Sequence, residues 1–337
     1  MNQKSITRGK GVKSLLGFLK ANPGWLVLDN SQNSDFGTCP QKYRLKYLEQ
    51  LPDRSTSAAM AYGTWLVHEP IEHWYRNAGG MPSGANWNIW NSQFTNEVAE
   101  YAGDLRPSEV SLYTMANSQR ILNDYAGQYQ NDFGMYRPVS SEVVYWSTLP
   151  GLQRIVWLSK PDLLLETIAS KQLVNVDIKS STMNRDELIP FDRQFVGQSF
   201  ATGSAEAVKV AIHLVPGTTR APARPATHAI SRYHVKVTDQ IMQAWVAETV
   251  ADCEALLKSL DTSVWPKRSP TACYAWNRTC SFINVCNATG EHERAYINGL
   301  RRVNNLEYLG LGFDAQGRYY DIHEGPLPIT GKAKKAQ

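Results

Sequence analysis

Two aspartates and a lysine define the chemistry this chain could perform. Asp177 and Lys179 stand two residues apart in the run Val174-Asn175-Val176-Asp177-Ile178-Lys179. Residues at that spacing on a strand point to the same face. The preceding run, Lys160-Pro161-Asp162-Leu163-Leu164-Leu165, reads as a second strand. A turn centred on Ala169 and Ser170 would set Asp162 directly opposite Asp177. Like charges in that position repel, and a divalent cation between them reverses the sign of the interaction. Lys179 beside such a cation could orient water or help to deprotonate it. Lewis acid, activated water and a nearby positive charge are the requirements for attack on a phosphodiester. A bare Asp-x-Lys also occurs on ordinary hairpins, so the Pro-Asp on the preceding strand is what makes the pattern informative.

Further side chains could join this group. His68 lies on a helical stretch five residues after Gly63, in Gly63-Thr64-Trp65-Leu66-Val67-His68. Glu142 could face the same cleft from an upstream strand or sit on a sheet edge. Glu72 and His73 read as surface groups. Downstream, Asp192-Arg193-Gln194-Phe195-Val196-Gly197-Gln198 opens a helix.

In order and spacing these motifs resemble the PD-(D/E)XK nuclease superfamily, specifically its RecB-like branch, over roughly 31–286. Pro161-Asp162 is similar to the family's first metal-binding aspartate, and Asp177-Ile178-Lys179 to its (D/E)-x-K triplet. Gly63 and His68 are similar to the branch's upstream Gly-x-x-x-x-His. Gln194 stands at the glutamine of its Gln-x-x-x-Tyr motif, with Gln198 in place of the tyrosine. The resemblance implies a restriction-endonuclease-like core. It implies a Mg²⁺ or Mn²⁺ site held by His68, Asp162 and Asp177, and catalytic roles for Asp162, Asp177, Lys179, Gln194 and Gln198. A histidine ligand would favour Mn²⁺ and weaken metal binding below a pH of about 6.5. The implied activity is a DNA exonuclease acting on free ends or single strands in recombination or repair, with recombination or replication proteins as possible partners. Two alternatives remain: a catalytically silent nucleic-acid-binding protein of the same fold, and a zinc-stapled interaction protein.

The five cysteines are unevenly placed: Cys39 and Cys253 stand alone, while Cys273, Cys280 and Cys286 fall within 14 residues. Their Cys-x6-Cys-x5-Cys spacing is wider than paired structural zinc ligands favour. Cysteines of a reducing compartment more often hold metal than form bridges. In the iron–sulfur members of the resembled branch, the AddB-like and CRISPR adaptation exonuclease-like proteins, one cysteine precedes the nuclease core and three follow it. That layout implies a [4Fe–4S] cluster on Cys39, Cys273, Cys280 and Cys286, with zinc as the other occupant. Four buried thiols would be the plainer reading. Cys253 falls on the apolar stripe of a helix and reads as core.

The elements that must position these groups follow from periodicity. Helices are expected near 13–20, 41–49, 58–76 (kinked by Pro70), 90–102, 108–133, 192–207 and 238–260. Strands are expected at 139–146, 154–158, 162–167, 173–179, 208–215 and 228–237, with a hairpin around 314–317 and a loop over 30–38. The order implies an α/β fold, a mixed central sheet flanked by helices, with an inserted helical region. The chain divides into an N-terminal segment with the first cluster cysteine (1–57), a helical region (58–137), the nuclease core (138–262), the cysteine segment (263–290) and a C-terminal extension with a basic tail (291–337).

Composition narrows the class. Of 337 residues 42% are apolar and 20% charged, which is globular rather than disordered. The formal net charge of +4 permits a local basic groove without demanding one. No apolar run reaches the ~20 residues of a membrane span, and the N-terminus carries no signal-peptide pattern. A cytoplasmic protein without membrane contact is expected. Arg220, Arg224, Arg232 and Lys236 could touch phosphates, and exposed members of the 10 Trp and 16 Tyr could stack on bases.

Overall fold

A computed structural model describes residues 6–53, 57–99, 110–182, 192–218, 224–266, 270–274, 279–288, 291–299, 303–313 and 319–324. The strands among them are β1 (Arg8–Lys10), β2 (Leu26–Leu28), β3 (Tyr136–Ser141), β4 (Tyr145–Thr148), β5 (Ile155–Ser159), β6 (Leu163–Thr167), β7 (Leu173–Ser181), β8 (Glu206–Val215), β9 (Thr227–Lys236), β10 (Leu311–Phe313) and β11 (Tyr319–Asp321). The chain forms two compact units, one of residues 55–143 and 159–248, the other of 1–54, 144–158 and 249–337.

The first of these units is built on a five-stranded mixed sheet, β3-β6-β7-β8-β9. β7 and β8 run parallel and the other pairs antiparallel. The helix Arg193–Thr202 makes the crossover between the parallel pair, as parallel neighbours require. β7 is buried through Ile178 because helices cover the sheet, and its apolar run reads accordingly. The β6–β7 register pairs Leu163 with Val176 and Leu165 with Val174, the register that the turn at Ala169 and Ser170 requires. Helices Gly84–Ala99 and Met115–Tyr129 pack their aromatic faces with Tyr62, Trp74 and Tyr75 into one core with the sheet.

The stretch before this sheet stays helical through Pro70. It consists of an α-helix Ala58–Gly63, a π turn Thr64–His68 and an α-helix Glu69–Arg76. Pro70 has no N–H for the Leu66 carbonyl four residues back. The Ser118 hydroxyl donates to that carbonyl instead, so the missing donor leaves no orphan. The expected kink is absorbed as a widened turn that ends on His68.

The second unit holds a four-stranded sheet, β1-β4-β5-β2, and the β10–β11 hairpin. The loop expected over 30–38 is the helix Asn30–Thr38, whose weakly apolar sequence hid it. Asp29 caps it by accepting from the Gln32 N–H at 2.8 Å. The strand expected over 139–146 is two strands in two different sheets. Glu142, at φ 56°, turns the backbone out of extended conformation between them. The 314–317 turn, Arg220 and the basic tail lie outside the described residues, and no helix of those described is long and apolar enough to cross a membrane.

Candidate active site

Every group of the site lies in the unit of residues 55–143 and 159–248. β7 presents Asp177 and Lys179 on one face, with Lys179 Nζ 2.6 Å from Asp177 Oδ2. Asp162 immediately precedes β6, and the Ile178 N–H donates to its Oδ2 at 2.5 Å. The helix Arg193–Thr202 is capped by Asp192, which accepts from the Gln194 N–H. Gln194 and Gln198, one turn apart, share a face. Their amides donate to Asp177 Oδ1 at 2.8 and 3.0 Å. Asp177 is thus held by three side chains, its two oxygens in different roles.

Gly63 lets the π-turn helix approach β7. A Cβ there would stand 2.7 Å from Ser180 Oγ. That approach sets His68 Nδ1 3.9 Å from Asp162 Oδ2. Its Nε2 is buried with no hydrogen-bond partner among the described residues. Burial, reinforced by the Lys179 ammonium, pushes the imidazole down to about 4. His68 is therefore neutral, the ligating form, well below the pH of about 6.5 of an unperturbed histidine, and the expected loss of binding near 6.5 moves down with it.

One turn beyond His68 is Glu72, and here the surface reading is corrected: it is 2% exposed. Its carboxylate accepts from the Ser141 hydroxyl. Burial, with Glu142 and Asp162 nearby, pushes it up to about 9. Glu142 donates its N–H to the Asp162 carbonyl at 3.1 Å, and its carboxylate pairs with Lys160. One carboxylate oxygen from each of Glu72, Glu142 and Asp162 falls within 4.8 Å of the others. Burial and the charge of Asp177 also raise Asp162 well above the usual carboxylate range. Burial works against the charge on Lys179, but Asp177 and Asp162 outweigh it and keep the ammonium protonated. Glu72 was legible in principle as the position four residues after His68 on the same helix face.

Carboxylate oxygens and one neutral imidazole, without thiols, are a donor set for Mg²⁺ or Mn²⁺. The unpartnered His68 Nε2 and the mutual repulsion of the acids fit a site that receives a cation.

Other sequence candidates fall elsewhere. Arg232 is no phosphate contact: its guanidinium bonds Asp132 at 2.7 Å and lies 3.5 Å from the centre of the Tyr129 ring. Arg224 and Lys236 are exposed. Among the described aromatic side chains only Tyr274 and Tyr308 are well exposed; the rest are wholly or partly buried. Cys39, Cys273, Cys280 and Cys286 share the other unit. The Cys280 N–H donates to the Cys273 carbonyl at 2.7 Å, and Cys280 and Cys286 border a small core of Leu45, Leu51, Phe282, Val285 and Ile297. Neither three of these four thiols nor His68, Asp162 and Asp177 have ligand atoms all within 4.8 Å of one another; among the described residues the group that does is Glu72, Glu142 and Asp162. Cys253 is fully buried, as its helix stripe implied.

Comparison with curated proteins returns no match. Among solved structures, a protein from Eubacterium rectale described as a candidate exonuclease is 15% identical. The match covers 80% of this chain and 91% of that one, with a TM-score of 0.43. LHK-Exo, solved with dAMP, is 13% identical over 73% of this chain and 93% of its own, at a TM-score of 0.28. The family model of the PD-(D/E)XK nuclease superfamily matches residues 30–287, a span that contains His68, Asp162, Asp177, Lys179, Gln194 and Gln198. Mixed sheet, helical flanks and family match agree, and the chain belongs to the PD-(D/E)XK nuclease superfamily.

Proposed function

We propose that this nuclease is a metal-dependent deoxyribonuclease of the RecB-like kind, removing nucleotides from DNA ends or single strands during recombination or repair. The observation that carries the reading is the meeting of Asp162, Asp177 and Lys179 at the β6–β7 edge, backed by two amides and a buried imidazole. Asp162, Asp177 and His68 would hold Mg²⁺ or Mn²⁺. When bound, that ion supplies a Lewis acid to the phosphoryl group and a lowered pKa to water. The chain's own residues do the rest. Gln194 and Gln198 fix the Asp177 carboxylate, and the Lys179 ammonium offers positive charge where the phosphate gains negative charge in the transition state. The retained lysine and both aspartates weigh against a silent DNA-binding protein.

Cys39, Cys273, Cys280 and Cys286 would ligate a [4Fe–4S] cluster that staples the chain ends. All four are unbridged and partly buried in one unit. Four thiols suit iron–sulfur chemistry, and their Cys-x6-Cys-x5-Cys spacing fits paired structural zinc ligands poorly.

The test is a digestion of end-labelled linear and circular DNA, single- and double-stranded, by anaerobically purified protein in Mg²⁺, Mn²⁺ or EDTA. Linear DNA should be shortened from its ends in either metal and spared in EDTA, and circles should persist. Intact linear DNA in both metals would refute the nuclease reading. A brown preparation with about four irons per chain supports the cluster; a colourless, iron-free protein overturns it.

A further inference from the structure

Two cations flank the carboxylates without belonging to the Asp-x-Lys group. Lys160 pairs with Glu142, its side chain 25% exposed. Arg76, at the end of the helix that carries His68 and Glu72, is 40% exposed. It lies 2.9 Å from Glu69, 3.7 Å from Glu72 and 3.3 Å from Ser141 Oγ. Glu142 and Glu72 both belong to the acidic group around Asp162, so the two cations stand on its rim, each touching a different carboxylate and each reaching solvent.

A phosphodiester that enters this pocket meets carboxylates already paired with cations: Asp177 with Lys179, Glu142 with Lys160 and Glu69 with Arg76. Lys179, its side chain 43% exposed, is engaged 2.6 Å from Asp177 and, in the proposed reading, serves the scissile phosphate. The phosphates on either side of the scissile one fall to cations on the rim, where Lys160 and Arg76 stand. Ion pairs of this exposure contribute little to stability, so phosphate oxygens can replace Glu142 or Glu69 as partners at small cost. Arginine suits the role through its paired N–H groups and lysine as a mobile point charge.

Resting on the reading of the site as a phosphodiester-cleaving centre, we propose that Lys160 and Arg76 are substrate-positioning residues. They contact backbone phosphates of the DNA strand entering the carboxylate pocket, exchanging their carboxylate partners for phosphate as the strand docks.

The experiment measures binding of a fluorescent single-stranded oligonucleotide by anisotropy, without divalent metal, across a range of salt concentrations. Removing one cation that pairs with a phosphate should flatten the slope of log affinity against log salt by about 0.7. Lys160→Gln and Arg76→Gln should each weaken binding several-fold and flatten the slope by that amount, with their sum in the double variant. Lys160→Arg should keep the parent slope. Lys160→Gln/Glu142→Gln, which leaves no unpaired carboxylate, guards against destabilisation and should show the same flattening as Lys160→Gln. Variants with the parent's slope and affinity would overturn the proposal and leave both cations as partners of Glu142 and Glu69 alone. A parent that binds no DNA would also overturn the proposal, while the nuclease reading stands or falls on the digestion in Mg²⁺ and Mn²⁺.

Discussion

At the scale of single residues, Asp162 carries the most. It precedes β6, takes the Ile178 N–H, faces His68 and shares its surroundings with Glu72 and Glu142. A carboxylate that stays deprotonated there needs a cation to offset its neighbours. Asp162→Ala should abolish Mn²⁺ binding by calorimetry and lower kcat at least a thousandfold, about 4 kcal/mol of barrier. Lys179→Ala should lower kcat similarly and leave Mn²⁺ binding intact, because an ammonium is no ligand. A Lys179→Ala protein with parental kcat would remove the lysine from the mechanism.

Among the elements, the π-turn helix is the one whose placement governs the site. Gly63 allows it to lie against β7 at Ser180. Gly63→Ala gains about 1 kcal/mol of helix propensity but puts a methyl 2.7 Å from Ser180 Oγ. The two effects separate in a double-mutant cycle. Gly63→Ala should be less favourable beside Ser180 than in Ser180→Ala by about 1–2 kcal/mol in urea unfolding. Zero coupling would show that the helix stands off the strand. In the other unit, the turn Arg44–Leu48 is tied down by Lys46, 2.9 Å from Asp53 and 3.1 Å from Asp35. Burial disfavours the Asp53 charge, but Lys46 outweighs it and holds the carboxyl below its usual value. Such a group stabilises the fold above its unfolded pKa, and the contribution fades as pH falls through the folded one. Lys46→Met should therefore cost about 2 kcal/mol at pH 7. The melting difference from the parent should shrink as pH falls through the lowered Asp53 value; a constant difference would assign the loss to packing of the lysine stem.

For the whole molecule, the cation and the fold are linked. The unit that holds the site keeps three carboxyl groups within 4.8 Å of one another; burial and their neighbours favour the protonated form of Glu72 and Asp162, and a divalent ion can displace those protons only where the fold brings the groups together. Saturating Mn²⁺, at about a hundred times its Kd, should add about 2.7 kcal/mol and raise the melting temperature of EDTA-treated protein by several degrees. Asp162→Ala should not respond. An identical shift in that variant would mean that Mn²⁺ binds elsewhere.

What was legible in the sequence is what local periodicity encodes. The Asp-x-Lys face, the β6–β7 register and the helix that follows with Gln194 and Gln198 all depend on residues close in the chain, where a period of two or of 3.6 fixes direction. The family match spans residues 30–287 and so includes those motifs. The rest depended on contacts between distant segments. Pro70 signalled a break, and Ser118, 48 positions away, removed the reason for one. Glu142 looked like mid-strand, yet a left-handed backbone there sends the chain from one sheet into another. Glu72 is a charged residue on an amphipathic helix, and only burial against Ser141 and Asp162 makes it part of the site. Arg232 is one cation among 35 in the sequence, and only the fold closes Asp132, Tyr75 and Tyr125 around it. Burial and long-range partners set charge and role, and neither is written in the spacing of neighbours along a chain.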